Sequence, residues 1–205
     1  MGAGAAAAGH HDLDYAQRAP LHDAADQLPQ LGSGRQRGSM TDDRMRSARL
    51  SLVPLAVTDA EEMVGVLRAD ALYAFTGGSP PTADELRARY ARQSSGRSPD
   101  GGEEWRNWIL RREPGGEAIG YVQATIADEG TRAEIAWVIG VNWQGQGYAA
   151  EAAQALVSWL DSRSVTAIQA RIHPDHSASA AVARRAGLAP TGRIEDGEQL
   201  WLRAP

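Results

Sequence analysis

The sequence contains no cysteine, and every one of its 21 Lys+Arg positions is arginine. The absence of cysteine excludes disulfides, thiolate metal ligands and a cysteine nucleophile. The absence of lysine excludes a Schiff-base lysine and the lysine of a phosphate-binding P-loop. An all-arginine chain rich in alanine and glycine is typical of a GC-rich bacterial genome.

Neither a basic cluster nor a long apolar run is present. The formal net charge of −5 argues against a nucleic-acid partner. No stretch of about 20 apolar residues predicts a membrane-spanning helix, and the Gly/Ala-rich start has no features of a secretory signal. We therefore expect a cytoplasmic protein that binds neither nucleic acid nor a membrane.

The composition changes near position 46. Residues 1–46 carry few large apolar side chains, so they cannot bury enough surface to offset the entropy of ordering. We predict a flexible leader over 1–46 and one folded domain over 47–205. His10 and His11 in the leader are expected to be solvated, and no metal site is predicted in the chain.

From Arg49 onward, hydrophobic periodicity predicts a strand, two helices, three antiparallel strands, a helix, a strand, a helix and a hairpin. Predicted strands lie at Leu50–Pro54, Trp105–Arg112, Glu117–Ile126, Glu134–Val141, Val165–Ile172 and Gln199–Arg203. Capping boxes are predicted at Thr58 with Glu61, for a helix to about Arg68, and at Thr82 for a helix over Ala83–Arg92. The last two helices are expected at Tyr148–Leu160 and His176–Ala186. This order predicts an α/β fold with a mixed sheet.

A glycine turn over residues 144–149 is the sharpest feature, because it joins a predicted strand to a predicted helix. Two glycines let the backbone approach a ligand closely, and the helix start offers unpaired N–H groups and a positive dipole end. The turn is therefore a candidate cradle for a phosphate or pyrophosphate.

Two phosphate-binding patterns fit this turn. A dinucleotide fingerprint, G-x-G-x-x-G/A, matches Gly145, Gly147 and Ala150, but too few parallel βαβ units follow it for that fold. The pattern Q/R-x-x-G-x-G/A matches Gln144, Gly147 and Ala149.

The second pattern belongs to a wider resemblance that runs from about Arg49 to the end of the chain. Residues 134–149, residues 173–179 with Ala186-Gly187-Leu188, and residues 49–52 are similar to three motifs of one family, in the same order and spacing. They resemble the ribosomal-protein N-terminal acetyltransferase branch of the GNAT superfamily. The resemblance implies the GNAT acyl-CoA N-acyltransferase fold. Its central, mostly antiparallel sheet is flanked by helices and splayed at the fourth and fifth strands, here Glu134–Val141 and Val165–Ile172.

The resemblance implies direct transfer of an acetyl group from acetyl-CoA to a primary amine of a small molecule or a protein N-terminus. It implies a monomer or homodimer, with no metal. The implied cofactor contacts are Val138, Ile139, Val141, Gln144, Gly145, Gln146, Gly147, Tyr148, Ala149, His176, Ser179 and Arg185.

The catalytic and acceptor residues also follow from the resemblance. Glu134 is the expected general base, acting through a water, and Ser179 is placed to hydrogen-bond the CoA sulfur. The family's usual tyrosine acid is replaced by Ala183, while His176 and Leu188 stand where Asn and Phe are commoner. The acceptor pocket is predicted to include Tyr73, Phe75, Trp108 and Trp137.

Two other functional classes remain open from the sequence. The missing tyrosine is compatible with a non-catalytic acyl-CoA-sensing module of the same fold. A dinucleotide-binding oxidoreductase is a more distant third reading, because only the glycine fingerprint favours it.

Overall fold

The computed structural model describes residues 43–203. The strands are β1 (Met45–Arg46), β2 (Leu50–Pro54), β3 (Glu104–Arg112), β4 (Ala118–Ala127), β5 (Arg132–Ile139), β6 (Ala167–Ile172), β7 (Leu188–Glu195) and β8 (Glu198–Arg203). The α-helices are α1 (Ala60–Val66), α2 (Ala83–Gln93), α3 (Tyr148–Ser162) and α4 (Ser177–Arg185).

The strands form one sheet in the order β1-β2-β3-β4-β5-β6-β8-β7. Only the β5–β6 pair is parallel; the other neighbours are antiparallel. The prediction of an α/β fold with a mixed, mostly antiparallel sheet is therefore confirmed.

Apolar side chains cover both faces of this sheet. Ala153, Leu156 and Leu160 form an apolar stripe along α3 and are completely buried against one face. On the other face, Met63 of α1 and Leu86 of α2 belong to a second buried cluster. Truncating a fully buried leucine such as Leu156 to alanine is expected to cost ~2–5 kcal/mol of stability.

The pairing of β5 with β6 is short. It covers only Arg132–Glu134 against Ala167–Gln169, after which β5 has no further partner on that side among the described residues. The carboxyl halves of these strands therefore lie on the two sides of a gap, as the predicted splay requires. We call this space the β5–β6 gap.

The two helix-start predictions had different outcomes. Thr82 Oγ1 accepts from the Glu85 N–H at 3.3 Å, and Glu85 Oε2 accepts from the Thr82 N–H at 2.7 Å, so that capping box is confirmed. The capping box at Thr58 is wrong. Residues Val57–Asp59 form a 3₁₀ turn in which Asp59 Oδ2 accepts from the Ala56 N–H at 2.8 Å, and the helix that follows ends at Val66.

Two residues that the prediction assigns to the leader, Met45 and Arg46, form strand β1 of the sheet. Met45 is opposite Leu52, and Trp108 Nε1 donates to the Asp43 carbonyl at 2.7 Å. The rest of the predicted leader, including His10 and His11, lies outside the described residues. Within 43–203, no helix has the length and apolar character needed to cross a membrane.

Candidate active site

The glycine turn has the backbone geometry of an anion cradle. Gly145 and Gly147 have φ of 74° and 84°, in the left-handed region where glycine is favoured. The first helical bond of α3 runs from the Glu151 N–H to the Gly147 carbonyl at 3.1 Å, and no side chain in the described part of the chain caps the helix start. The preceding N–H groups of the turn are therefore available to an anionic ligand.

Two side chains hold this turn in place, and one of them was not foreseen. Arg49 Nη1 donates to the Gln146 carbonyl at 3.1 Å, and its guanidinium lies 4.5 Å from the centre of the Tyr148 ring. Arg49 Nε also donates to Glu151 Oε2 at 2.8 Å. Because Arg49 and Glu151 are far apart in sequence, no local pattern reveals this clamp.

Partial burial opposes ionisation of Glu151, but hydrogen bonds from Ser47 and from the Arg49 backbone and side chain outweigh it. The net effect lowers the Glu151 pKa.

The second side chain that holds the turn is Gln144, whose Nε2 donates to the Ile139 carbonyl at 2.9 Å and so ties the turn to the end of β5. Among the other predicted contacts here, Val141 and Gln146 are exposed.

The backbone of β5 presents alternate amides to the β5–β6 gap. The Gly140 N–H donates to the Ile119 carbonyl of β4 at 2.9 Å. Because β4 and β5 are antiparallel, this bond fixes which amides of β5 point to β4 and which point away from it. The amide of Val138 then faces β4, whereas the amides of Trp137 and Ile139 face the gap. Of these two implied cofactor contacts, Ile139 therefore turns its amide to the gap and Val138 does not.

Glu134 lies where the β5–β6 pairing ends. Its side chain is 7% exposed, and Oε2 accepts from Gln169 Nε2 at 2.8 Å, with Arg171 Nε at 3.4 Å. Burial raises the Glu134 pKa above its usual value, although Gln169 and Arg171 oppose that shift. A buried carboxylate of raised pKa at the apex of a gap has the character of a general base.

Helix α4 begins beside the gap and carries two predicted residues in its first turn. His176 Nδ1 accepts from the Ser179 N–H at 3.5 Å, so it caps the helix. Burial, together with the neighbouring His173, lowers the His176 pKa and favours the neutral ring that this cap needs. The Ser179 hydroxyl makes no hydrogen bond with the described residues. Ala183, one turn later, is completely buried.

The predicted acceptor residues do not converge. Tyr73 is buried and its hydroxyl donates to the Leu67 carbonyl at 2.8 Å, and burial raises its pKa to about 12. Trp108 is 1% exposed and packs edge-on against Trp159 at 4.9 Å. Burial in the core on the α3 face thus removes Trp108 from an acceptor pocket.

Trp137 also packs towards the α3 core, on the face opposite Glu134. Only Phe75 of the predicted acceptor set lies at the site, where its ring stacks on His176 at 4.4 Å. Arg185, predicted to contact the cofactor, is exposed at the end of α4, and its carbonyl accepts from Gln154 Nε2 at 2.8 Å.

A row of buried polar side chains beside Glu134 was missed by the sequence reasoning. Its members are Gln123, Thr125, Gln169 and Glu198, each at most 9% exposed. The signal that could have found them is a polar residue at an inward position of an otherwise apolar strand, because such positions normally carry core side chains.

Comparisons with known proteins agree with this geometry. The family model described as Acetyltransferase (GNAT) domain matches residues 49–189. A search of curated proteins found no match. Among solved structures, the GNAT-family acetyltransferase from Bacillus anthracis is 18% identical, with a TM-score of 0.64, covering 78% of this chain and 96% of that chain.

Two further structures were solved with ligands. The ribosomal L7/L12 alpha-N-protein acetyltransferase RimL in complex with coenzyme A is 19% identical, with a TM-score of 0.64 over 78% of this chain and 97% of that chain. AAC(6')-Ib in complex with paromomycin and acetyl-CoA is 19% identical, with a TM-score of 0.61 over 75% and 91%. At these identities the likeness establishes the fold.

Proposed function

Because the chain belongs to the GNAT acetyltransferase family, we propose that this N-acetyltransferase moves an acetyl group from acetyl-CoA directly to a primary amine. The acceptor is a small molecule or a protein N-terminus. One observation carries the proposal: β5 and β6 separate beyond Glu134, next to a turn with two left-handed glycines. An elongated thioester with a pyrophosphate in its middle fits that combination. RimL and AAC(6')-Ib, which share the fold, were solved with coenzyme A and acetyl-CoA.

The residues present fit this co-substrate. The amides of the turn, from Gly145 to Ala149, would bind the pyrophosphate, and Arg49 would keep them in register. The free edge of β5 would hydrogen-bond the pantetheine, with His176 and Ser179 of α4 on the other side. Acetyl-CoA supplies an acyl thioester, and the protein supplies orientation and proton transfer.

The chemistry assigns one role to each of three groups. Glu134, through a water, accepts a proton from the acceptor ammonium so that the neutral amine attacks the carbonyl carbon. The Ile139 N–H stabilises the negative charge that develops on the carbonyl oxygen. As the C–N bond forms, the C–S bond breaks, and the proton that the amine nitrogen loses in becoming an amide reaches the leaving thiolate through Ser179 or a water.

A non-catalytic acyl-CoA-sensing module is the second candidate. The buried alanine at position 183 favours it, since no phenol stands where the family usually places its acid. Such a module would bind acetyl-CoA without turnover.

One experiment separates these functions. Acetyl-CoA and NAD are titrated separately into the protein by calorimetry, and free-thiol release is then followed with a panel of primary amines. We expect acetyl-CoA to bind, NAD not to bind, and an amine to stimulate thiol release. Acetyl-CoA binding with no amine-dependent thiol release would favour the sensing module, and absence of acetyl-CoA binding would refute both.

A further inference from the structure

Two buried oxygens on the Glu134 side of the sheet have no hydrogen-bond partner within residues 43–203. They are Glu198 Oε2 and Gln123 Oε1, and their residues are 9% and 4% exposed. A buried acceptor left unpaired costs about 1–3 kcal/mol, and more if it is charged. Both atoms are acceptors, so the missing partner must be a donor.

Strand register places these residues on one face with Glu134. Thr125 is directly opposite Glu134, and Gln123 is two residues from Thr125, so both side chains project to that face. Glu198 reaches the same face from β8, because Leu200 lies opposite Arg171 and Glu198 is two residues from Leu200.

Carboxylates outnumber guanidinium groups around Glu134 and Glu198. Arg171 lies 3.4 Å from Glu134 and 3.3 Å from Glu195, and Arg193 pairs with Glu195 at 2.7 Å. Glu195 is also directly opposite Glu198, so two carboxylates face each other across the β7–β8 pair, and both of these arginines pair with Glu195. Glu198 has no ion-pair partner among the described residues.

We propose that the Glu134 face binds the acceptor through a second positive charge. The acceptor is then a small amine with at least two ammonium groups. One ammonium is deprotonated at Glu134 and acetylated, while the other stays protonated and donates to Glu198 Oε2. This inference rests on the proposed function and narrows its acceptor.

The selectivity comes from Glu198 rather than from Glu134. Any amine substrate places its reacting nitrogen near Glu134, whereas only a dication also satisfies the unpaired carboxylate. A neutral tail, as in a monoamine, leaves Glu198 buried and unpaired. Aliphatic polyamines and aminoglycosides share the required chemistry, while a peptide N-terminus with a neutral second residue lacks it.

The test compares the affinities of amine acceptors, measured by calorimetry on the protein saturated with coenzyme A; the key pair has the same four-carbon chain. The probes are 1,4-diaminobutane and n-butylamine, which differ only in the second amine, together with spermidine, paromomycin and a neutral peptide. We expect 1,4-diaminobutane to bind about tenfold or more tightly than n-butylamine, the effect of one charge-assisted hydrogen bond. Comparison of spermidine with paromomycin distinguishes a linear from a ring-based polyamine.

Two variants assign the effect to one carboxylate. Glu198→Gln should abolish the preference for 1,4-diaminobutane, whereas Glu117→Gln, which removes the same charge, should retain it. Glu117 is 42% exposed at the β3–β4 hairpin, six residues or ~20 Å from Gln123. Circular dichroism confirms that both variants are folded.

Equal affinities of the wild type for the two butyl amines would overturn the inference, as would tightest binding of the neutral peptide. Equal loss in both variants would also overturn it, because overall charge would then explain the preference. Acetyl-CoA binding, measured on the same samples, reports separately on the proposed function. If acetyl-CoA binds but dications have no advantage, only the inference fails.

Discussion

The two halves of the candidate site are built in different ways. The cofactor half is a turn of six consecutive residues, 144–149, whose conformation depends on Gly145 and Gly147. The acceptor half brings together side chains from β4, β5, β6 and β8. A change in the first half should therefore act on acetyl-CoA binding alone, and a change in the second should act on turnover or acceptor choice.

The largest expected effect is that of Glu134→Gln. Removing the proposed general base should lower kcat with the preferred amine by ~10²–10⁴-fold, while the Kd of acetyl-CoA stays within about twofold. Thiol release and calorimetry measure the two quantities. Glu117→Gln is the matched control, since it removes a carboxylate at the β3–β4 hairpin. A Glu134→Gln variant of normal activity would remove Glu134 from the mechanism.

Next in size is Gly147→Trp. A side chain here is strained at φ of 84°, its Cβ would lie 3.6 Å from Arg49 Nη2, and an indole would cover the amides of the turn. We expect the Kd of acetyl-CoA to rise at least about tenfold, a cost of ~1.4 kcal/mol. The matched control is Ala91→Trp, which adds the same ring at an exposed position of α2 where φ is negative. Unchanged binding in Gly147→Trp would show that the turn does not hold the pyrophosphate.

Arg49→Ala should have a smaller effect, because it loosens the turn without blocking it. Loss of the bonds to Gln146 and Glu151 should raise the Kd of acetyl-CoA severalfold and lower the free energy of unfolding by ~1 kcal/mol, a modest value because the side chain is 46% exposed. The comparison is Arg87→Ala, which breaks exposed ion pairs on α1 and α2 and should leave both quantities nearly unchanged. Equal effects of the two variants would contradict a clamp at the turn.

The smallest expected effect is a pH-dependent gain of stability in Glu134→Gln. The folded-state pKa of Glu134 is raised above 4.5, so the folded protein keeps a proton that the unfolded chain releases. Stability from this group is present below pH 4.5 and is lost as pH rises through the folded pKa. The variant should therefore gain Tm at pH 8 relative to wild type, and gain less at pH 4. Melting curves at both pH values test this. A gain in Tm that does not depend on pH would contradict a carboxylate whose charged form is disfavoured by burial.

The same contrast explains what the sequence could predict. The glycine turn and the Thr82 cap are set by neighbours within four residues, and the structure has both. The false cap at Thr58 also came from a local pattern, but Asp59 caps the preceding 3₁₀ turn instead. The six strands that were given bounds lie within two residues of the observed ones, since alternation and turn residues mark them, whereas β1 was missed and β7 was given no bounds.

Long-range contacts account for most of what the sequence reasoning missed. Arg49 reaches the glycine turn from the position just before β2, and Glu198 comes to the face of Glu134 only through the pairing of β6 with β8. The prediction that Trp108 and Trp137 line the acceptor pocket depended on long-range pairing too. Both residues lie on strands, and only the strand register determines which face of the sheet each side chain occupies. Trp108 joins the core, and Tyr73 uses its hydroxyl to hold the Leu67 carbonyl.

The most direct test of this account is calorimetric titration of acetyl-CoA into the wild type, Gly147→Trp and Glu134→Gln. We predict binding to the wild type on the order of micromolar to submillimolar, binding at least about tenfold weaker in Gly147→Trp, and unchanged binding in Glu134→Gln. Equal binding in all three proteins, or its loss in Glu134→Gln alone, would contradict a site with separate cofactor and acceptor halves.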